Sequence, residues 1–136
     1  QTVRGRAFAE MRHYSERLNR AYLPDVSVIL GPRAAEAMRQ QLVGWPPDIA
    51  IEILSPDDRA MAIVDKVEMY QALEVPITLL VDPEARSIRE YRPGQPPRTF
   101  HEGETLDFAP VLPGFALDVA ALFAILPPDE GPGQAG

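Results

Sequence analysis

The fold is decided by a short stretch, DIAIEIL at residues 48–54, which predicts a β-strand that is apolar on both faces. Such a strand is typical of the centre of a sheet that is covered on two sides. Its interior carboxylate, Glu52, is unexpected, because a carboxylate among apolar groups is costly unless it is paired or binds a cation. The stretch therefore predicts a central strand and a first candidate for a functional residue.

The segments around this strand predict one mixed α/β domain with a central sheet and few helices. Strands are predicted over residues 7–14, 22–30, 48–54, 78–81, 87–92 and 98–101. Helices are predicted over residues 34–42, from a capping-box pattern at Ser55 to about Glu74, and from Asp118 through Ile125. We expect one domain over residues 1–126 and a flexible C-terminal tail over residues 127–136.

Composition excludes several classes of protein. The chain has 136 residues, of which 46% are hydrophobic and 24% charged, as in soluble globular proteins. It has no cysteine, which excludes disulfides, thiolate zinc sites, iron–sulfur clusters and cysteine nucleophiles. No stretch approaches the roughly 20 apolar residues of a membrane span, so we expect no membrane association and a cytoplasmic location.

The charge of the chain is unevenly distributed. The net charge is −7, with +3 on residues 1–45 and −10 on residues 46–136. An acidic protein binds nucleic acid poorly unless it has a local basic surface. The arginines between Arg4 and Arg20 are the candidate for such a surface, and ordinary solvated charge is the alternative. Of the thirteen basic residues, twelve are arginines, and Lys66 is the single lysine.

Three residues form a candidate site. Asp25 follows Pro24 at the head of the strand that precedes the central one, so neighbouring strands could bring its carboxylate beside Glu52. Two close carboxylates repel, and a hard divalent ion such as Mg²⁺ would resolve that conflict. On a helical wheel, Lys66 lies within the apolar arc and points toward the sheet that carries Glu52.

Two interpretations of these residues stay open at this point. Glu52 and Lys66 could form a buried structural ion pair, with Asp25 merely beginning a strand. Alternatively, two carboxylates and an ammonium are the groups that metal-dependent phosphodiester hydrolysis needs. His13 and His101 have no partner at metal-ligand or triad spacing, and we expect both to be surface histidines.

A series of motifs resembles the Uma-type family of restriction endonucleases, within the PD-(D/E)XK nuclease superfamily. The resemblance covers roughly residues 20 to 125, and its strength lies in the order of the motifs. They are Tyr22-Leu23-Pro24-Asp25-Val26, residues 47–56, Lys66 with Tyr70, Val81-Asp82-Pro83, Tyr91-Arg92-Pro93-Gly94 and Leu112-Pro113-Gly114-Phe115.

The resemblance implies a restriction-endonuclease-like core, a central mixed β-sheet flanked by helices. It implies that Asp25 and Glu52 bind the metal together with the backbone carbonyl of Ile53. The superfamily's usual lysine position holds Leu54, and the resemblance implies that Lys66 on the following helix takes over the role. Before residue 20 there is no clear match to the family's opening helix and hairpin.

Two functions follow as hypotheses. The first is a Mg²⁺-dependent DNA endonuclease, with Mn²⁺ as a possible substitute, that acts as a homodimer. Its catalytic residues would be Asp25, Glu52 and Lys66. The second is an inactive nuclease-fold module that binds DNA or a protein partner, in which Glu52 and Lys66 form a structural pair.

Overall fold

A computed structural model of the chain describes residues 4–125, and the tail predicted over residues 127–136 lies outside them. Within these residues the chain forms strands and three helices in a mixed order. The strands are β1 (Gly5–Ala9), β2 (His13–Ser15), β3 (Arg20–Tyr22), β4 (Val26–Leu30), β5 (Ile49–Ile53), β6 (Ile77–Asp82), β7 (Ser87–Tyr91), β8 (Arg98–His101), β9 (Thr105–Asp107) and β10 (Ala116–Asp118). The helices are α1 (Arg33–Ala37), α2 (Ala60–Ala72) and α3 (Val119–Ile125).

Six of the strands form one mixed sheet in the order β1-β4-β5-β6-β7-β8. β5 and β6 pair in parallel, and the other neighbours pair antiparallel. A parallel pair needs a crossover connection, and α2 supplies it between β5 and β6. The predicted fold class, a mixed α/β protein with a large central sheet and few helices, is confirmed.

The two faces of the sheet are covered differently around β5. On one face, Ala50 packs with Tyr22, Met69 and Tyr70 in a core that includes buried residues of α2. On the other face, Ile49 joins the larger core, but Ile51 and Ile53 line an apolar cavity of about 490 Å³. The expectation that both faces are covered therefore holds fully on the α2 face and in part on the other.

Several predicted boundaries were wrong for local reasons. Residues 7–14 form two strands, because Glu10 takes a left-handed φ of 50° and breaks the extended run. Residues 22–30 are likewise divided, with Asp25 in a bend before β4 rather than at its head. Helix α2 begins at Ala60, because Arg59 is extended (φ −82°, ψ 138°). Of the expected capping box, only the bond from the Ser55 N–H to Asp58 Oδ2 forms, at 2.7 Å.

The remaining elements follow the predictions more closely. The hairpin of β7 and β8 is present. The short helix predicted over residues 34–42 covers only Arg33–Ala37. The β9–β10 pair was not predicted, and its three-residue strands are too short to show a periodic pattern. Among residues 4–125, no helix is long and apolar enough to span a bilayer.

Candidate active site

Glu52 lies at the centre of the candidate site, on the face of β5 that α2 covers. Its exposed fraction is 3%. Lys66 and Tyr70 are four residues apart on α2, so they lie one above the other on the same side of that helix. This spacing lets both side chains reach the same carboxylate.

The two oxygens of Glu52 have different partners. The Tyr70 hydroxyl donates a hydrogen bond to Oε2 at 2.5 Å, and both residues are buried. The Lys66 Nζ lies 3.6 Å from Oε1, while the lysine side chain is 47% exposed. Lys66 therefore meets the carboxylate from the edge of the core, rather than from within it as the helical wheel indicated.

Asp25 is brought to the same place by the pairing of β4 with β5. Val26 pairs with Ile51 and Ser27 with Ala50, and the pairing ends at Val26. Asp25 lies in the bend just before Val26, close enough for its charge to act on Glu52. Asp25 Oδ2 accepts a hydrogen bond from the Ile53 N–H at 2.6 Å, which fixes the aspartate against the end of β5.

The electrostatics of the cluster centre on Glu52. Burial raises the pKa of this carboxyl above its usual value, and the nearby Asp25 carboxylate raises it further. The Tyr70 hydrogen bond and the Lys66 charge lower that pKa without cancelling the effect of burial. Burial and the Glu52 charge raise the pKa of Tyr70, so its hydroxyl keeps its proton and stays a donor. Ionisation of Glu52 is thus disfavoured in the folded protein.

The donor set at this site fits a hard cation. Asp25 and Glu52 supply carboxylate oxygens, and Mg²⁺ typically binds one or two carboxylates and retains several waters. A cavity of about 20 Å³, the scale of one water, lies beside Glu52, Ile53, Asp58 and Lys66, but Asp25 does not line it. In residues 4–125, no three Asp, Glu, His or Cys side chains converge as a ready ligand set. Any ion would therefore depend on the two carboxylates, backbone oxygen and water.

The prediction for His13 was wrong. Its ring is fully buried, with Nδ1 2.9 Å from the Trp45 carbonyl and Nε2 2.9 Å from Ser27 Oγ. Burial lowers the pKa of His13, so the neutral ring is favoured. No sequence spacing indicates these partners, because they come from distant segments. His101, by contrast, is exposed as expected, 3.7 Å from Glu104.

Two arginines of the predicted basic segment contact the helix that carries Lys66. Arg20 pairs with Asp65 at 2.6 Å, and Arg17 bonds to the carbonyl of Ala72. Two arginines of the basic segment therefore lie against this helix. The contact between Tyr70 and Glu52 was not predicted from the sequence; the position of Tyr70 one helical turn after Lys66 was the available signal.

The structure is thus a mixed α/β fold in which the crossover helix brings Lys66 to Glu52 of β5, while Asp25 lies just before the neighbouring strand. The chain matches the Uma2 family, described as "Putative restriction endonuclease", over residues 1–120. Because this match spans most of the chain, the protein belongs to that family, and the resemblance found from its motifs is confirmed. The expected extent was wrong at the start, because the family match also includes residues 1–19, where no motif was recognised.

A solved structure agrees with the family assignment. The chain is similar to the crystal structure of a putative nuclease belonging to DUF820 from Anabaena variabilis, with a TM-score of 0.76 and 25% sequence identity. The alignment covers 88% of this chain and 68% of that one. No curated protein matches the chain. Family and structural neighbour together support a nuclease function in general terms.

Proposed function

We propose that this protein is a Mg²⁺-dependent endonuclease that hydrolyses DNA phosphodiester bonds, with Asp25, Glu52 and Lys66 as its catalytic residues. The observation that carries the proposal is the state of Glu52. It is 3% exposed, and its pKa stays raised although Tyr70 and Lys66 both contact it. A buried carboxylate retained at a net cost is a candidate functional group, since function commonly opposes stability at such positions.

Each residue has a separate task in this proposal. Asp25 and Glu52 would hold the ion, together with the Ile53 carbonyl, and Mn²⁺ is the expected substitute for Mg²⁺. Such an ion would supply neutralisation of phosphate charge and a lower pKa of a water bound to it. Lys66 is half-exposed beside Glu52, so its ammonium can orient the attacking water or stabilise charge that develops on the phosphate.

The position of the arginines supports a nucleic-acid substrate. The whole chain carries a net charge of −7, so contact with DNA requires a local basic surface. Arg17 and Arg20 lie against α2, which brings part of the basic segment to the side of the site. A homodimer would enlarge this surface and present one site to each DNA strand.

Plasmid cleavage tests the proposal. The wild-type protein is expected to nick and linearise supercoiled plasmid in Mg²⁺ or Mn²⁺, and to lose this activity in EDTA. Glu52→Gln and Lys66→Met should each lower the rate by about a hundredfold or more, the scale seen when one transition-state contact is removed. Glu68→Gln is the matched control, because Glu68 is an exposed glutamate of the same helix. Equal cleavage by Glu52→Gln and wild type would contradict the assignment.

The contact between Lys66 and Glu52 also favours a second candidate, a non-catalytic module of the same fold. In that case the 3.6 Å pair is structural, and the protein binds DNA or a protein partner without cutting it. A gel-shift titration at several salt concentrations separates the two. Binding that weakens with salt but never leads to cleavage, with either metal, would favour the module.

A further inference from the structure

One contact of Glu52 is not used by the proposed chemistry. Tyr70 is 1% exposed, and its hydroxyl lies 2.5 Å from Glu52 Oε2. The other oxygen, Oε1, faces Lys66. We propose that Tyr70 is a positioning residue, whose hydroxyl holds Oε2 and thereby turns Oε1 toward the cation site. This inference rests on the proposed function and adds a residue to it.

The ring of Tyr70 is itself held in place by an aromatic cluster. The His13 and Tyr22 rings are stacked, with centroids 5.0 Å apart and planes 10° apart. Tyr22 meets Tyr70 edge-on, at 6.0 Å and 80°. His13 is anchored at both ring nitrogens, by the Trp45 carbonyl and Ser27 Oγ. Because every ring has a fixed neighbour, the Tyr70 hydroxyl is a rigid donor.

A rigid donor matters because the terminal torsion of a glutamate is soft. Rotation about that torsion is broad and roughly two-fold, so the two oxygens of a free carboxylate exchange places readily. A hydrogen bond to one oxygen removes this freedom and selects the orientation of the other. Partners of this kind, one shell outside a metal, typically change metal affinity by about 10- to 100-fold when removed.

Tyr22 provides a matched control within the same cluster. Its exposed fraction is 8%, and its hydroxyl has no hydrogen-bond partner in the part of the chain that the structure describes. Tyr22→Phe and Tyr70→Phe thus remove the same atom from two adjacent buried rings. Only Tyr70→Phe removes a bond to Glu52.

Mn²⁺ titration by calorimetry tests the inference, with the folded state of each variant checked by circular dichroism. We expect Tyr70→Phe to weaken the Kd for Mn²⁺ by about tenfold or more, and Tyr22→Phe to leave it unchanged. In plasmid cleavage, Tyr70→Phe should lower kcat with little change in KM for DNA. This is expected because Tyr70→Phe leaves the arginine-bearing surface for DNA unchanged but disturbs the geometry of the cation site.

The outcomes separate the inference from the function on which it rests. If the wild type binds Mn²⁺ and Tyr70→Phe binds it equally well, the inference is wrong and the cation site stands. If both Phe variants lose affinity alike, packing of the rings is responsible, which also overturns it. If the wild type binds no Mn²⁺, the proposed cation site fails, and the positioning role fails with it.

A second measurement covers the case in which Tyr70→Phe does not fold. Wild-type protein is labelled at the tyrosine ring carbon that bears oxygen, and Mg²⁺ is added while carbon NMR spectra are recorded. The Tyr70 signal should shift on Mg²⁺ binding, because its hydroxyl bonds directly to Glu52, while the Tyr91 signal stays fixed. Mg²⁺ binding without a shift of the Tyr70 signal would overturn the inference.

Discussion

Replacing Lys66 by methionine should destabilise the metal-free protein, and the loss should depend on Glu52. Methionine keeps most of the aliphatic stem of lysine but removes the ammonium 3.6 Å from Glu52 Oε1. The buried Glu52 carboxylate then has one compensating charge fewer. In the Glu52→Gln background there is no carboxylate to compensate, so the same replacement should have almost no effect.

The size of the coupling free energy between Lys66 and Glu52 follows from their distance and their exposure. At 3.6 Å, Coulomb's law gives about 1 kcal/mol in water and about 5 kcal/mol at an effective dielectric constant of about 20. Because the lysine side chain is 47% exposed, solvent screening places the value near the lower limit. We therefore expect a coupling of about 1 to 2 kcal/mol. In a chain of this length, that corresponds to a Tm lower by roughly 3 to 8 °C.

The assay is a double-mutant cycle in urea at pH 7 with EDTA. Wild type, Lys66→Met, Glu52→Gln and the double variant are unfolded, and the coupling is the non-additive part of their free energies of unfolding. Glu52→Gln alone should be at least as stable as wild type. The raised pKa of Glu52 means that its ionised form is disfavoured in the folded state, and an amide oxygen can still accept the Tyr70 hydrogen bond.

Additive effects of the two substitutions, within about 0.3 kcal/mol, would refute this reasoning. They would mean that the ammonium does not stabilise the buried carboxylate. A Glu52→Gln variant much less stable than wild type would refute the claim that ionisation of Glu52 costs stability. It would mean that the ionised carboxylate is favoured by its partners, contrary to the direction of its pKa.

Three further predictions concern stability alone. Because the folded pKa of Glu52 is raised, the metal-free protein should lose stability as the pH rises from 4.5 through that folded pKa. Thermal unfolding of Glu52→Gln over the same pH range should not show this loss. The pKa of buried His13 is lowered, so stability should instead be lost as pH falls below 6.5. If a His13→Gln variant lost stability at acid pH in the same way as wild type, His13 would not be the cause of that loss. Arg92→Ala should lower the free energy of unfolding in urea by about 3 kcal/mol or more, because Glu90 would be left buried without its partner at 2.9 Å. Arg92→Lys should keep only part of the stability that Arg92→Ala loses, since the Arg92 guanidinium also donates hydrogen bonds to two backbone carbonyls.

Strong local patterns made much of the fold predictable from the sequence. β5 was predicted because its apolar run is continuous, and the β7–β8 hairpin because two alternating segments flank a Pro- and Gly-rich loop. Helix α2 was predicted from its periodicity, but its start was misplaced by about one turn. The capping pattern at Ser55 favours a helix there, whereas the extended backbone of Arg59 delays it.

The features that the sequence did not reveal depend on contacts between distant segments. The buried His13 ring has Trp45 and Ser27 as its hydrogen-bond partners, and no local sequence pattern predicts either partner. The proximity of Asp25 to Glu52 followed from strand adjacency. The hydrogen bond that the Ile53 N–H donates to Asp25 Oδ2 did not, because it depends on a bend that precedes β4. Long-range polar contacts were therefore the weakest part of the sequence argument.

Carrying the lysine on α2 rather than on β5 has a physical consequence for the site. Leu54 occupies the strand position two residues after Glu52, and one helix supplies both partners of the carboxylate, Lys66 and Tyr70. Any shift of α2 against the sheet must therefore move both contacts together. The buried Met69 packs with Ala50 of the sheet, so truncating Met69 should disturb the site as well as the core. The stability of the fold and the geometry of the proposed cation site are thus coupled through the packing of one helix.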